Sequence, residues 1–157
     1  MVTDNFIVLD FKVVKEFWDV YDLNDGTKLK NRVILTGVKK LNSNSINMGN
    51  NGKNDKNNEY EFDFQSIQSF IFSEKSKGNP HTNFYKKEEL DTSYKIVVPH
   101  SVISEKWNEY TVIDNGTRLK LKSTVTDIKK SNIFLQNGDP IYNVRIKILS
   151  KVIRPII

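Results

Sequence analysis

Alternation of apolar and polar residues organises most of this chain. Between Arg118 and Val125, the residues Leu119, Leu121 and Val125 share one phase, while Arg118, Lys120 and Lys122 share the other. That is the period-two signature of a half-buried strand. Further on, Tyr142, Val144, Ile146 and Ile148 alternate with Asn143, Arg145 and Lys147. Nearer the start, Leu29, Val33 and Leu35 oppose Lys28, Lys30 and Arg32, and Tyr60, Phe62 and Phe64 alternate with Glu61 and Asp63. The short apolar runs Phe6 to Leu9 and Lys95 to Val98 predict one more strand each. Pro99 ends the second of these, because proline has no N–H to give to a ladder. In both long strands the phase slips, before Val38 and before Ile128, which predicts a bulge or strong bend. Ser66 to Phe72 fits strand and helix equally well.

These strands form one pattern written twice. Trp18, Tyr21, Leu23, Gly26, Thr27, Lys28, Leu29 and Lys30 reappear in order as Trp107, Tyr110, Val112, Gly116, Thr117, Arg118, Leu119 and Lys120. Both copies run on to a Lys-Lys pair, Lys39-Lys40 and Lys129-Lys130. An internal repeat changes the whole fold reading. Asn24-Asp25-Gly26 and Asp114-Asn115-Gly116 are hairpin turns in this reading, since Asn, Asp and Gly tolerate positive φ. One extra residue before Gly116 predicts a longer loop in the second copy.

The expected fold is therefore all-β: an internal duplication of a small antiparallel meander of about four strands. The two units would be SH3/OB-like half-open barrels or small sandwiches packed with pseudo-twofold symmetry. Residues 1–72 form the first repeat, 73–93 a linker with one helical turn, and 94–157 the second repeat. Each unit lies near the lower size limit for an independent core, so the two should share buried surface. The Asn-, Ser- and Gly-rich segment 42–58 reads as a mobile loop. SH3-like, OB-like and Sm-like barrels share such meanders, but their diagnostic residues are not matched, so no family is assigned.

Composition narrows the function classes. The chain has no cysteine, which excludes disulfides, thiolate metal sites and cysteine nucleophiles, and suits a cytoplasmic protein. No long apolar run predicts a membrane span, and Met1 to Asp10 lacks the make-up of a secretory signal. The net charge is +5 and is unevenly placed. Residues 1–92 hold 13 Lys and Arg against 14 Asp and Glu, whereas residues 93–157 hold 11 against 5. Such asymmetry points to an anionic partner.

The sharpest candidate site is the outward face of the second repeat. Arg118, Lys120 and Lys122 should lie beside Arg145 and Lys147 on the next strand. In the first repeat, Lys28, Lys30 and Arg32 should instead face Glu61 and Asp63, the pairing expected for simple stability. A basic face of this kind suits an acidic protein partner, with nucleic acid as the alternative. Its plain alternative is a solvated lysine-rich strand that discourages aggregation. Single-strand nucleic-acid binding also needs stacking aromatics. Tyr110 and Tyr142 are repeated on the apolar phase and belong to the core. Phe134 has no counterpart and is the better stacking candidate, although an ordinary loop staple explains it as well.

No catalytic constellation stands out. His81 and His100 have no metal-ligand spacing, and Ser101 beside His100 lacks a nucleophile-elbow context. No phosphate-cradling loop occurs, and no cofactor or metal is expected. Asn115-Gly116-Thr117 matches a glycosylation sequon, but the hairpin accounts for it. The edge strands leave a homodimer open.

Overall fold

A computed structural model describes residues 6–41, 59–80 and 85–156. The segment 42–58 and His81 lie outside the described residues. Ten strands dominate: β1 (Phe6–Leu9), β2 (Phe11–Lys15), β3 (Asp19–Leu23), β4 (Lys28–Leu41), β5 (Tyr60–Ile71), β6 (Tyr94–Val97), β7 (His100–Ser104), β8 (Asn108–Val112), β9 (Arg118–Phe134) and β10 (Pro140–Ile153). A 3-10 turn, Glu74–Ser76, and one short helix, α1 (Lys87–Asp91), lie between β5 and β6. The segment Ser66 to Phe72 resolves as strand through Ile71. No described helix is long and apolar enough to cross a membrane.

All described pairing is antiparallel and falls into two five-stranded sheets, neither closed into a barrel. In the first sheet, β4 carries β5 on one side, and β1 and β3 on the other. In the second, β9 carries β10 on one side, and β6 and β8 on the other. The outermost strand of each sheet comes from the other half of the chain. β7 pairs with β3, and β2 pairs with β8. Neither chain half therefore builds a complete sheet.

The crossing happens at two matching points. Asp10 lies between β1 and β2, and Pro99 between β6 and β7. The Asp10 carbonyl accepts from the Ile113 N–H at 3.0 Å, and the Pro99 carbonyl accepts from the Asn24 N–H at 3.0 Å. Each breaks a continuous extended run so that its two pieces join different sheets. Pro99 suits the break because it offers no donor there.

The phase slips are bulges. Register shifts between Leu35 and Gly37 on β4, opposite Phe64 and Asp63, and again between Arg145 and Ile146 on β10, opposite Asp127 and Val125. The hairpin turns also follow the sequence reading. Gly26 and Gly116 both adopt positive φ, 90° and 71°. The extra residue lengthens the second loop: Leu23 closes on Thr27, whereas Val112 closes on Thr117.

The sheets meet in two hydrophobic clusters, each drawn from both. Leu9, Leu35, Val38 and Tyr60 of the first sheet pack with Tyr110, Val112, Leu119 and Leu121 of the second. Tyr21, Leu23 and Leu29 pack with Val98, Val125 and Ile128. Between the clusters, where β4 approaches β9, a polar link replaces apolar contact. The Asn31 amide donates to Ser123 Oγ at 2.9 Å and accepts from Ser66 Oγ at 2.8 Å. Burial of Asn31 and Ser123 is tolerable because these hydrogen bonds satisfy their polar atoms.

Candidate binding surface on the second sheet

Residues directly opposite in an antiparallel ladder project to the same face. The register of β9 and β10 therefore decides which cations meet. Lys120 lies opposite Lys151, Lys122 opposite Leu149, Thr124 opposite Lys147, and Asp127 opposite Arg145. Arg118, Lys120, Lys122, Arg145 and Lys147 do share one outward face, with the β10 pair displaced toward the bulge. Lys151 is the residue that sequence reasoning missed, because β10 runs five residues past Ile148. Its place was legible in the period Arg145, Lys147, Leu149, Lys151.

The strand exchange enlarges this face. On β2, Lys12 lies opposite Thr111, and Lys15 opposite Glu109. Thr111 and Glu109 in turn lie opposite Arg118 and Lys120 on β9. Lys12 and Lys15 thus join the outer surface of the second sheet, as does Lys129, opposite Asn143. Nine Lys and Arg side chains share the face with two acids, Glu109 and Asp127. Glu109 pairs with Arg118 at 3.1 Å. Lys120 lies between Glu109 on β8 and Lys151 on β10, so Lys151 has only a like charge opposite it in the ladder.

The first sheet presents the same ladder with different chemistry. Lys28, Lys30 and Arg32 do not face Glu61 and Asp63; they lie opposite Ile71, Ser69 and Ile67. The expectation failed because β5 extends to Ile71 and runs antiparallel, which carries its acids to the far end. There Glu61 lies opposite Lys39, and Asp63 opposite Gly37, with Lys39 Nζ 3.6 Å from the Asp63 carboxylate. Asp22 lies opposite Lys28. Arg32 lies 3.9 Å from the Glu16 carboxylate, so the four cations on this face meet four acids.

Aromatic groups contribute little free ring surface. Trp107 lies with Lys151 Nζ 4.6 Å and Lys122 Nζ 6.0 Å from its ring centroid. Its ring anchors two of the face's cations. Phe134 is not aligned with them: its ring lies so close to Gly78 that a Cβ there would sit 2.4 Å from Phe134 Cζ. The Lys130 ammonium lies 5.4 Å from the same ring. Phe134 therefore staples the β9–β10 turn to the segment after the 3-10 turn. Tyr110 and Tyr21 are fully buried, and Tyr142 stacks on Phe70 at 5.1 Å.

Two carboxylates, half-buried Asp25 and buried Asp19, are structural. Asp25 accepts from the Tyr142 hydroxyl and from the Thr27 N–H, with Lys130 Nζ 3.4 Å away. Burial alone would raise this carboxyl, but these hydrogen bonds and the Lys130 charge hold it below the usual carboxylate value. Asp19 accepts from the Lys106 N–H at 3.1 Å. Burial raises its pKa to about 6; the Lys106 hydrogen bond opposes this, Glu105 adds to it, and Lys122 opposes it. The matching residue on β8 is Asn108, which accepts from the Phe17 N–H at 3.0 Å and donates to the Val33 carbonyl at 2.9 Å.

His100 and Ser101 are neighbours on β7, so their side chains point to opposite faces and do not form a nucleophile–base pair. His100 meets the Tyr21 ring edge-on at 5.8 Å. Among the described residues, no group of three or more His, Cys, Asp or Glu side chains is placed to hold a metal ion.

No family model, curated protein or solved structure matches this chain. The chemistry of the surface itself then bears on function. A wide sheet face with nine cations, two acids and interspersed aliphatics such as Leu149 and Ile153 has the make-up of an anion-docking surface.

Proposed function

We propose that the protein is a non-enzymatic binding or assembly module, built by internal duplication of one five-stranded unit with pseudo-twofold symmetry. Its second sheet docks an acidic protein surface through Lys12, Lys15, Arg118, Lys120, Lys122, Arg145, Lys147 and Lys151. The chain has no cysteine, and a reducing cytoplasmic setting is part of the proposal. Support for duplication comes from the two ladders: Val8 opposite Lys39 matches Val97 opposite Lys129, and the bulges fall at corresponding places.

One observation carries the docking reading. The same ladder is nearly neutral on the first sheet and strongly basic on the second. Stability alone gives no reason to set Lys120 opposite Lys151, since like charges directly opposite destabilise a sheet. Exposed Leu149 and Ile153 among the cations favour a protein partner, which can offer apolar contact between its carboxylates.

A second reading, nucleic acid, draws on the breadth of positive charge and on Trp107 within the face. It predicts affinity that falls linearly in log–log form with salt. The test is a fluorescence-anisotropy titration with an acidic peptide and with a single-stranded oligonucleotide, each across salt concentrations. Peptide binding that the double change Lys120→Glu plus Lys147→Glu removes supports the docking reading. Oligonucleotide binding with a steep salt slope and loss in the same variant supports the second. Failure of both ligands to bind at low salt overturns both.

A further inference from the structure

The long edge of the first sheet carries a different message from its faces. Among the described residues β5 pairs only with β4, so its other side presents unpaired backbone donors and acceptors along twelve residues. Proteins usually blunt such an edge with charge, proline, bulges or brevity. The corresponding edge of the second sheet, β10, carries Arg145, Lys147 and Lys151. On β5 the charges Glu61 and Asp63 are confined to its start, and from Phe64 to Phe72 the chain has no charged residue and no proline. Its exposed apolar groups include Phe64 at 41%, Ile67 at 42% and Ile71 at 52%. β7, the opposite edge of this sheet, also lacks Lys, Arg, Asp and Glu but offers only five residues.

The sequence of β5 also reads nearly the same in both directions about Ile67. Phe62, Phe64, Gln65 and Ser66 on one side are mirrored by Phe72, Phe70, Ser69 and Gln68 on the other. In an antiparallel pairing of two β5 strands centred on Ile67, apolar meets apolar and neutral polar meets neutral polar. Phe64 would lie opposite the second copy's Phe70, Gln65 opposite Ser69, and Ile67 opposite Ile67. Only Asp63 opposite Ile71 departs from the match. Such self-complementarity is what an isologous two-fold interface requires, since the same patch must fit itself. Charge favours this edge too, because the adjoining face of the first sheet is nearly neutral, whereas joining two β10 edges would crowd the basic face against its copy.

We propose that the occupant of the β5 edge is a second copy of this chain, paired antiparallel about Ile67 to make a continuous ten-stranded sheet. The pairing leaves the basic face of the second sheet exposed in both copies, and it does not depend on what that face binds. Because each residue at the axis meets itself, one substitution there places two like charges in contact.

The experiment measures the mass of the full chain by sedimentation equilibrium over a range of concentrations. The wild type is expected to dimerise. Ile67→Lys and Ile67→Glu should each be monomeric at concentrations where the wild type associates. Mixing the two variants should restore a dimer, with an ammonium opposite a carboxylate at the axis. Ser69→Lys, which copies the charge that β10 carries at Lys151, should also weaken association. Far-ultraviolet circular dichroism establishes that each variant is folded, as expected for changes on an exposed strand face. A wild type that stays monomeric throughout overturns the proposal. So does a dimer that survives Ile67→Lys, or variants that remain monomeric when mixed.

Discussion

The outer faces of the two sheets share a ladder and differ in charge, and the excess positive charge comes from the flanking strands. The central strands are alike: Lys28, Lys30, Arg32 and Lys39 on β4 match Arg118, Lys120, Lys122 and Lys129 on β9. Their neighbours are not. Where β5 has Asp63, Gln65 and Ser69, β10 has Arg145, Lys147 and Lys151. Where β7 places Ser101 and Ser104 against β3, β2 places Lys12 and Lys15 against β8. A basic central strand is thus compatible with a quiet surface, and only the added charge on both sides turns one face into an anion-docking candidate. Interior positions diverge as well: Asn31 and Val33 stand where the other sheet has Leu121 and Ser123, and Asp19 occupies the site that Asn108 occupies there.

The largest expected effect comes from breaking the charge contrast. Lys120→Glu with Lys147→Glu should weaken binding of an acidic peptide by about a hundredfold, roughly 2.7 kcal/mol. The matched pair Lys28→Glu and Lys30→Glu on the first sheet should leave that binding within about threefold, since screening limits the reach of exposed charges to roughly 10 Å. Comparable losses from both variants would show that net charge, and not the face, governs binding. The reverse transplant sharpens the point: Gln65→Lys with Ser69→Lys should give the first sheet measurable affinity in an anisotropy titration.

A somewhat smaller effect is expected inside. The raised pKa of Asp19 means that the folded state holds its proton more tightly than the unfolded state does. Its contribution to stability is therefore greatest below about pH 4 and is lost as pH rises through about 6. Asp19→Asn should stabilise the protein at pH 7 by roughly 1–3 kcal/mol and flatten stability between pH 4 and 6. Urea unfolding at several pH values checks this, and an unchanged pH profile would remove Asp19 as the source. Asp25, held low by its partners, has the opposite sign: its contribution is present at neutral pH and fades as pH falls.

The smallest effect concerns the Glu109–Arg118 ion pair on the basic face. Glu109→Gln removes the partner of Arg118 and should change stability by less than about 1 kcal/mol. By making the face more positive, it should tighten peptide binding a few-fold at low salt, and a calorimetric titration would detect the change.

Much of this architecture was legible in the chain. The alternation at Leu119, Leu121 and Val125 gave the inward phase of β9, and all three residues are buried. The bulges before Val38 and Ile128 showed as breaks in that alternation, and the turns at Gly26 and Gly116 showed as Asn, Asp and Gly clusters. β2 and β7 were not foreseen, because short edge strands with mostly exposed side chains leave no clear alternation. The partners of Lys28, Lys30 and Arg32 were misplaced because register depends on where a strand ends, and Ser66 to Phe72 fitted strand and helix alike.

The sequence by itself determined which residues point inward, where the strands bend, and that a basic stripe runs along β9. These are local properties, written in a period of two residues and in the φ preferences of a few turn positions. Only the tertiary structure decided that β2 and β7 change sheets at Asp10 and Pro99, and so brought Lys12 and Lys15 to a surface nearly a hundred residues away in the chain. Backbone hydrogen bonding has no side-chain code, so a strand's partner is chosen by which open edge its neighbours and the shared core leave within reach.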